Sequence, residues 1–219
     1  MSLSELWSLY GQNYIDALLA TWGMTLESFA IAMVLAVAVT VMRVSPLKPL
    51  RVFGDLYVQV FRNIPGIALL IIVVYALPPL KVVLPYRTCV IVATVLLGSA
   101  FGSENFMSGI NTVGVGQVEA ARSLGMSFSR ILAKIVIPQA LRSSVLPMTN
   151  LFIAVMLTTA LGSQVPLNPQ ELTGVVSYIN TRSLGGVAAF FISALGYLGT
   201  AFVVSHIGNY IDKKVRILR

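Results

Sequence analysis

Five apolar stretches dominate this 219-residue chain, and each is long enough to cross the hydrocarbon core of a bilayer. A membrane-spanning helix needs roughly 20 consecutive apolar residues. The stretches lie at about 17–42, 64–80, 88–106, 146–162 and 187–207. None alternates apolar with polar residues as barrel strands do, and a backbone in lipid must satisfy its own hydrogen bonds. The sequence therefore predicts an all-α integral membrane protein, with five transmembrane helices in one domain over 1–219.

The composition excludes most soluble classes of protein. Only 11% of the residues are charged, against about 25% in typical soluble domains. The chain has one cysteine, Cys89, and one histidine, His206, so an intrachain disulfide is excluded and the usual metal ligands are lacking. No Gly-Lys dipeptide occurs, so no P-loop can bind ATP, and no Ser/His/Asp set indicates hydrolytic chemistry. We therefore expect no enzyme activity, no metal and no bound cofactor in this chain.

The positive charges predict the orientation in the membrane. With the N-terminus outside, twelve of the fifteen Lys and Arg residues fall in the first and third loops and in the C-terminal tail. The tail contributes Lys213, Lys214, Arg216 and Arg219. Because cytoplasmic loops carry the excess of Lys and Arg, the N-terminus is predicted outside and the C-terminus inside. The net charge of +7 is then a signal of topology, and we expect membrane lipid around the chain and no bound nucleic acid.

Two segments outside the spans carry local helix signals. Ser2–Tyr14 is typical of an interfacial helix that precedes the first span. Between the third and fourth spans, good helix formers run over Gln117–Leu124. We expect Glu119 in the first turn of that helix, where the helix dipole favours an anion.

A turn and a second helix complete this inner segment. Gly125 can end the first helix in a left-handed cap. Ser127 can cap a second helix over Phe128–Ile137, and we expect Pro138 to end it. The pattern fits either an ordinary amphipathic hairpin at the membrane surface or a docking element for a partner.

Polar residues at membrane depth are costly, and they usually mark function or helix packing. A carboxylate such as Glu104 can also lie at a helix end and reach headgroups or a partner, so both interpretations stay open. Five thin helices cannot easily enclose a solute path alone, and we therefore expect an oligomer. The candidates for a shared substrate pathway are Arg62, Asn63, Glu104, Asn150, Thr158 and Thr159.

The inner segment also carries a family motif. Residues 119–138 are EAARSLGMSFSRILAKIVIP, with Glu-Ala-Ala at the start, Gly125 in the middle and Ile-Pro at the end. This stretch, about 117–138, resembles the EAA loop of the membrane subunits of ATP-binding-cassette (ABC) importers. Residues 57–65, YVQVFRNIP, are similar to the start of the second span in the polar amino-acid uptake group. The chain thus resembles the permease subunits of that group, of glutamate/glutamine type.

The resemblance implies a multi-subunit complex in a prokaryotic plasma membrane. Two membrane subunits would pair, a separate ATPase dimer would bind ATP and Mg²⁺, and an extracytoplasmic binding protein would deliver the amino acid. The coupling helix, about Gln117–Gly125, would pass the closure of the ATPase dimer to the spans. The residues expected to contact the ATPase are Glu119, Ala120, Ala121, Arg122, Ser123, Leu124 and Gly125.

The substrate implied is glutamate or a related polar amino acid. A basic amino acid or an opine is an alternative, and a non-conducting membrane anchor is another. The fourth span departs from the pattern of the group, with Leu157 where Lys is usual, Thr158 where Asp or Asn is usual, and Ala160 where Ser is usual. Losing a buried charge removes a desolvation cost but also a partner for a substrate carboxylate. This predicts a heterodimer whose other membrane subunit supplies more of the polar substrate contacts.

Overall fold

A computed structural model describes residues 2–183 and 186–215, and these residues form ten α-helices. In chain order they are α1 (Leu3–Val44), α2 (Lys48–Asn63), α3 (Gly66–Ile71), α4 (Tyr86–Asn111), α5 (Val115–Ser123), α6 (Phe128–Ile131), α7 (Ile137–Ser143), α8 (Val145–Thr158), α9 (Gly174–Asn180) and α10 (Gly186–Val215). Short π-helical turns follow α3 and α6, at Ile72–Ala76 and Leu132–Val136, and 3-10 turns occur at Pro78–Leu80 and Thr159–Gln164. Arg216 and Arg219, which contribute to the charge of the tail, lie outside the described residues.

Four helical segments of the described chain are long and apolar enough to cross a membrane: α1, α4, α8 with its 3-10 turn, and α10. The predicted second span is less regular, because α2 and the segment 66–80 meet at 103° and form a fifth span only when counted together. Pro65 explains the bend, since proline has no N–H and holds the preceding Ile64 in an extended conformation, with ψ at 129°. The all-helical membrane fold is therefore confirmed, with four to five spans.

The first helix is longer than its apolar stretch indicates. α1 runs without a break for 42 residues, so the helix predicted over Ser2–Tyr14 is continuous with the first span. Ser2 begins the helix with a capping box, in which its hydroxyl accepts from the Glu5 N–H and the Glu5 carboxylate accepts from the Ser2 N–H. No proline interrupts the stretch. The outer part of α1 packs through Leu6 and Tyr14 against α9 and the start of α10.

Small residues bring α1 and α4 close together. A methyl group added at Gly98 would lie 3.3 Å from the Cβ atom of Ala32, and one added at Gly102 would lie 2.8 Å from the Cβ atom of Ala36. Glycine and alanine at such positions let two membrane helices pack backbone to backbone. α4 also packs against α3 and α8, and a cavity lies between those three helices.

Candidate functional site

The inner hairpin is built around a left-handed glycine. Gly125 has φ of 74°, which confirms the predicted cap. Its N–H donates to the carbonyl of Arg122 at 2.9 Å, and the next N–H, of Met126, donates to the carbonyl of Ala121 at 3.1 Å. These two bonds form a Schellman motif, which ends a helix and satisfies its last carbonyl groups. The chain therefore leaves α5 along a fixed path.

Three local predictions for the hairpin need correction. α5 begins at Val115, so Glu119 lies in the second turn and not the first. Ser127 occupies the N-cap position of α6, but its side chain makes no capping hydrogen bond. Pro138 does not end the second helix, which continues to Ser143. A π-helical turn, Leu132–Val136, precedes the proline, and its wider hydrogen-bonding pattern accommodates a residue that has no N–H to donate.

One face of the hairpin is held by side-chain packing, and the other face is exposed. Ala121 is buried with Val113, Ile131 and Val136 in a small apolar core of the hairpin itself. Of the predicted ATPase-contacting residues, Ala121 is the one that points inward. The others are exposed, and Leu124 is 82% exposed. They are Glu119, Ala120, Arg122, Ser123, Leu124 and Gly125. The exposed face of α5 thus carries both polar and apolar side chains, and it includes one large apolar side chain, that of Leu124, which is mostly exposed.

The second candidate region is a cavity of about 1020 Å³ between α3, α4 and α8. Three of the predicted pathway residues, Arg62, Asn150 and Thr158, line it. The wall also contains three polar residues outside the predicted pathway set, namely Thr94, Asn105 and Gln164. Arg62 is the one charged residue on the wall among the described residues, and the rest of the wall is mainly apolar.

The other three pathway candidates lie off the wall in the part of the chain that the structure describes. Asn63 is exposed, and its amide donates to the carbonyl of Gln59 at 2.6 Å. Thr159 is buried, and its hydroxyl donates to the carbonyl of Met156 at 2.6 Å. Glu104 lies behind the wall and binds two arginines. A hydrogen bond to the nearest backbone carbonyl explains the burial of Thr159 without any substrate.

Glu104 belongs to a cluster of four charged side chains that joins α1, α2 and α4. Its Oε2 atom lies 3.1 Å from Nη1 of Arg43 and 3.4 Å from Nη1 of Arg62. Arg43 also binds Asp55 at 2.9 Å. The Arg62 guanidinium lies over the ring of Phe101, 5.4 Å from its centroid. The two positive and two negative charges cancel, so the cluster can be partly buried at modest cost.

The departures from the pattern of the group fall on the cavity. Leu157, Thr158 and Ala160 all line it, and Leu157 is 51% exposed. These positions give this wall an apolar side chain, a hydroxyl and a methyl group. The Thr158 hydroxyl donates to the carbonyl of Ala154 at 2.8 Å, as threonines in membrane helices often do.

Comparison with known proteins identifies the family. Residues 28–217 match the family described as "Binding-protein-dependent transport system inner membrane component". The chain is 33% identical over 208 residues to the glutamate transport system permease protein GluC of Corynebacterium efficiens, covering 90% of this chain and 91% of that one. It is 31% identical over 215 residues to the L-cystine transport system permease protein TcyB of Bacillus subtilis, covering 95% and 91%.

Solved structures share the fold. A chain of an amino acid ABC transporter crystallised with histidines superposes with a TM-score of 0.91 at 24% identity, over 98% of this chain and 99% of that one. A chain of the inward-facing MetNI methionine ABC transporter gives a TM-score of 0.73 at 20% identity, over 99% and 100%. At these identities the likeness concerns the fold.

The family assigns the chain its general place in a complex. Subunits of this family work in ABC transporter complexes that contain an ATPase subunit, and they typically bind no cofactor. The family match covers most of the chain, and the GluC relative exceeds 30% identity over nine-tenths of it. The chain belongs to the binding-protein-dependent transport system inner membrane components: it is a multi-pass permease subunit of a bacterial ABC importer and not itself an ATPase.

Proposed function

We propose that this chain is the membrane subunit of an ATP-driven importer for a polar amino acid, glutamate or a close relative. It forms half of the translocation path and couples that path to a separate ATPase dimer, which binds ATP and Mg²⁺. The observation that carries the proposal is the rigid presentation of α5. An apolar core anchors the helix through Ala121, while Glu119 and Leu124 remain exposed.

The coupling role follows from what this geometry can transmit. A helix held by side-chain packing and a Schellman turn moves as a unit with the segment beneath it. The Leu124 side chain, 82% exposed at the end of α5, is suited to fill an apolar groove on the ATPase, and small Ala120 lets the two backbones approach. The same features argue against a non-conducting membrane anchor, which needs neither an exposed rigid helix nor a cavity between its spans.

The cavity wall favours a substrate that carries a carboxylate for Arg62 to bind. Arg62 supplies a cation, and the described wall includes no Asp or Glu that could bind a cationic side chain. The glutamate permease GluC and the probable glutamine permease GlnM support an acidic or amide amino acid. The L-cystine permease TcyB adds cystine, a zwitterion with two carboxylates, as a candidate. An opine is the second candidate, because the octopine permease OccM and the nopaline permease NocM are each 30% identical to this chain. A basic amino acid is the least favoured substrate on this wall.

The proposed complex contains two further partners. A second membrane subunit would complete the path, and we favour a different chain, since Leu157 and Ala160 leave this wall with few polar groups. An extracytoplasmic binding protein would deliver the amino acid to the outer face. Purification of this chain with one ATPase alone, active without another type of membrane subunit, would rule out the heterodimer.

Reconstitution of the complex in liposomes tests the proposal. We expect ATP-driven uptake of radiolabelled L-glutamate, reduced by unlabelled L-glutamine more than by L-arginine. Glu119→Lys should abolish uptake by reversing the charge of the exposed face, while Glu119→Gln should retain much of it. Normal uptake by the lysine variant with its ATPase still bound would disprove the coupling role. Uptake that persists without ATP and depends on an ion gradient would disprove the importer itself.

A further inference from the structure

Two arginines share one oxygen of Glu104, and they stand in different surroundings. Arg43 and Arg62 both direct Nη1 at Oε2 of Glu104, at 3.1 Å and 3.4 Å. The side chain of Arg43 is only 11% exposed, whereas that of Arg62 is 36% exposed and lines the cavity. The contact that Glu104 makes with Arg62 is therefore both the longer and the more accessible of the two.

Arg62 can leave Glu104 without creating an unpaired buried charge. Arg43 would still bind Glu104 at 3.1 Å, and it keeps its own second partner, Asp55, at 2.9 Å. Removing one member of an isolated buried ion pair is costly because the other charge is left without compensation. Here the three remaining groups stay bonded to each other. The net negative charge left behind is partly solvated, since the side chains of Glu104 and Asp55 are 40% and 53% exposed, so the cost is smaller than for a fully buried pair.

The end of α2 also stays in place when Arg62 turns away. The hydroxyl of Tyr57, five residues before Arg62, is hydrogen-bonded to the hydroxyl of Ser99 on α4 at 2.7 Å. Gly54 lies so close to α1 that an added methyl group would approach Cγ of Arg43 to 2.8 Å. The backbone that carries Arg62 is therefore fixed by contacts that do not involve its guanidinium.

We propose that Glu104 is a positioning residue that holds Arg62 beside the cavity and yields it to the carboxylate of the transported amino acid. The inference rests on the proposed function and adds the group that is recognised and a means of release. A guanidinium binds a carboxylate through paired N–H donors, and the Phe101 ring beneath Arg62 supports the planar group beside the cavity. When the substrate leaves, Glu104 takes Arg62 back, so the internal carboxylate competes with the bound one.

Competition makes an unusual prediction for the Glu104→Gln variant. Removing the internal competitor should tighten binding of an amino acid, with Kd falling by about threefold to tenfold, a range typical of losing one partly exposed charge contact. Arg62→Gln should weaken binding by at least as much. In the double variant the Glu104 substitution should have no further effect, because its action requires Arg62. A structural role for Glu104 would instead weaken binding in both backgrounds.

The experiment measures equilibrium binding to the whole transporter complex in nanodiscs, without the binding protein. The probes are radiolabelled L-glutamate, L-glutamine, L-cystine and L-arginine, which all carry an α-carboxylate. Glu27→Gln is the matched control, since Glu27 also joins α1 to α4, through Arg87 at 2.6 Å, and lies away from the cavity. We expect Glu27→Gln to leave Kd unchanged.

Two results overturn the inference. One is a Glu104→Gln complex that binds as the wild type does, or more weakly. The other is a wild-type complex that binds none of the four amino acids. Failure of the proposed function is recognised separately, by the absence of ATP-driven uptake in liposomes that contain the complete complex with its binding protein.

Discussion

The side-chain amide of Gln139 donates a 2.6 Å hydrogen bond to the side-chain carbonyl of Gln117. Gln117 lies in the first turns of α5 and Gln139 in α7, so this bond ties the exposed helix of the hairpin to the helix that leads into α8. The apolar core around Ala121 is one connection along the proposed route from the ATPase to the spans, and this hydrogen bond adds a direct polar one.

Breaking this link should weaken coupling more than folding. We expect Gln139→Ala to lower uptake per ATP hydrolysed by about twofold to fivefold, because one neutral hydrogen bond contributes about 1 kcal/mol. The measurement is uptake and ATP hydrolysis in the same proteoliposomes. Gln12→Ala, which removes a glutamine that donates to Asp16 on the outer part of α1, is the control and should leave the ratio unchanged. An unchanged ratio for Gln139→Ala would contradict the route.

The left-handed turn of the hairpin can be tested by two glycines that differ in one respect. No atom lies within 4 Å of a methyl group added at either Gly125 or Gly116, but only Gly125 has positive φ. Gly125→Ala should cost about 1 kcal/mol, since a side chain disfavours this conformation. Gly116→Ala should be neutral or stabilise α5 by up to about 1 kcal/mol. Thermal unfolding of the purified complex measures both, and equal effects would be inconsistent with backbone strain as the cause.

The contact between α1 and α4 should not tolerate an added methyl group. Gly102→Ala would bring two Cβ atoms to 2.8 Å, and we expect a loss of about 1–3 kcal/mol in stability from overpacking. Gly199→Ala on α10 meets no atom within 4 Å and should have little effect. Thermal unfolding in detergent distinguishes the two variants. A Gly102→Ala variant as stable as the wild type would mean that the helices separate there at little cost.

The buried carboxyl of Glu171 should make stability depend on pH. Burial raises the pKa of Glu171, and hydrogen bonds from the N–H groups of Thr173 and Gly174 and from the Tyr197 hydroxyl oppose the shift. Because folding favours the protonated form, this contribution to stability is complete below the ordinary pKa. It is lost as pH rises through the raised one. Stability should therefore fall as the pH rises through the range above the ordinary pKa of a glutamate carboxyl.

Two variants isolate this effect. In Glu171→Gln the fall in melting temperature over the same pH range should be smaller than in the wild type, because the titrating group is gone. In Asp16→Asn, which removes a partly exposed carboxylate from α1, the fall should match that of the wild type. Identical pH profiles for the wild type and Glu171→Gln would show that the group does not titrate in this range.

The spans could be predicted because the need for apolar residues in lipid overrides finer preferences. The start of the first helix could not be predicted. When no proline intervenes, nothing in the sequence separates a helix in the headgroup region from one that is continuous with a span. The prediction that Pro138 ends the second helix was wrong for a related reason. Proline usually ends an isolated helix, whereas here the π-helical turn before it accommodates the missing N–H. The bend at Pro65 was equally hidden, since Pro65 lies at the start of the predicted stretch 64–80, where a proline is ordinary in the first turn of a helix.

The candidate site was only partly readable from the sequence. Polarity at membrane depth drew attention to Glu104 and Arg62 but gave no sign that they bind each other, because their positions lie on different helices. Arg43 and Asp55 were not among the predicted site residues, yet both belong to the same cluster. Thr94 escaped notice because a threonine in an apolar run is usually satisfied by its own helix, and its hydroxyl here is buried without a hydrogen-bond partner in the described structure.

At a rise of 1.5 Å per residue α1 is roughly 63 Å long, about twice the thickness of the hydrocarbon core. An average tilt of about 20° shortens its projection by only a few ångströms. In the predicted orientation, with the N-terminus outside, a large part of α1 must extend into the headgroups and the water beyond. The Thr21 hydroxyl, which accepts from the Leu172 N–H at 3.1 Å, helps to hold α1 in place. A binding protein that docks on this outer part would contact a rigid helix, and the inner end of the same helix carries Arg43.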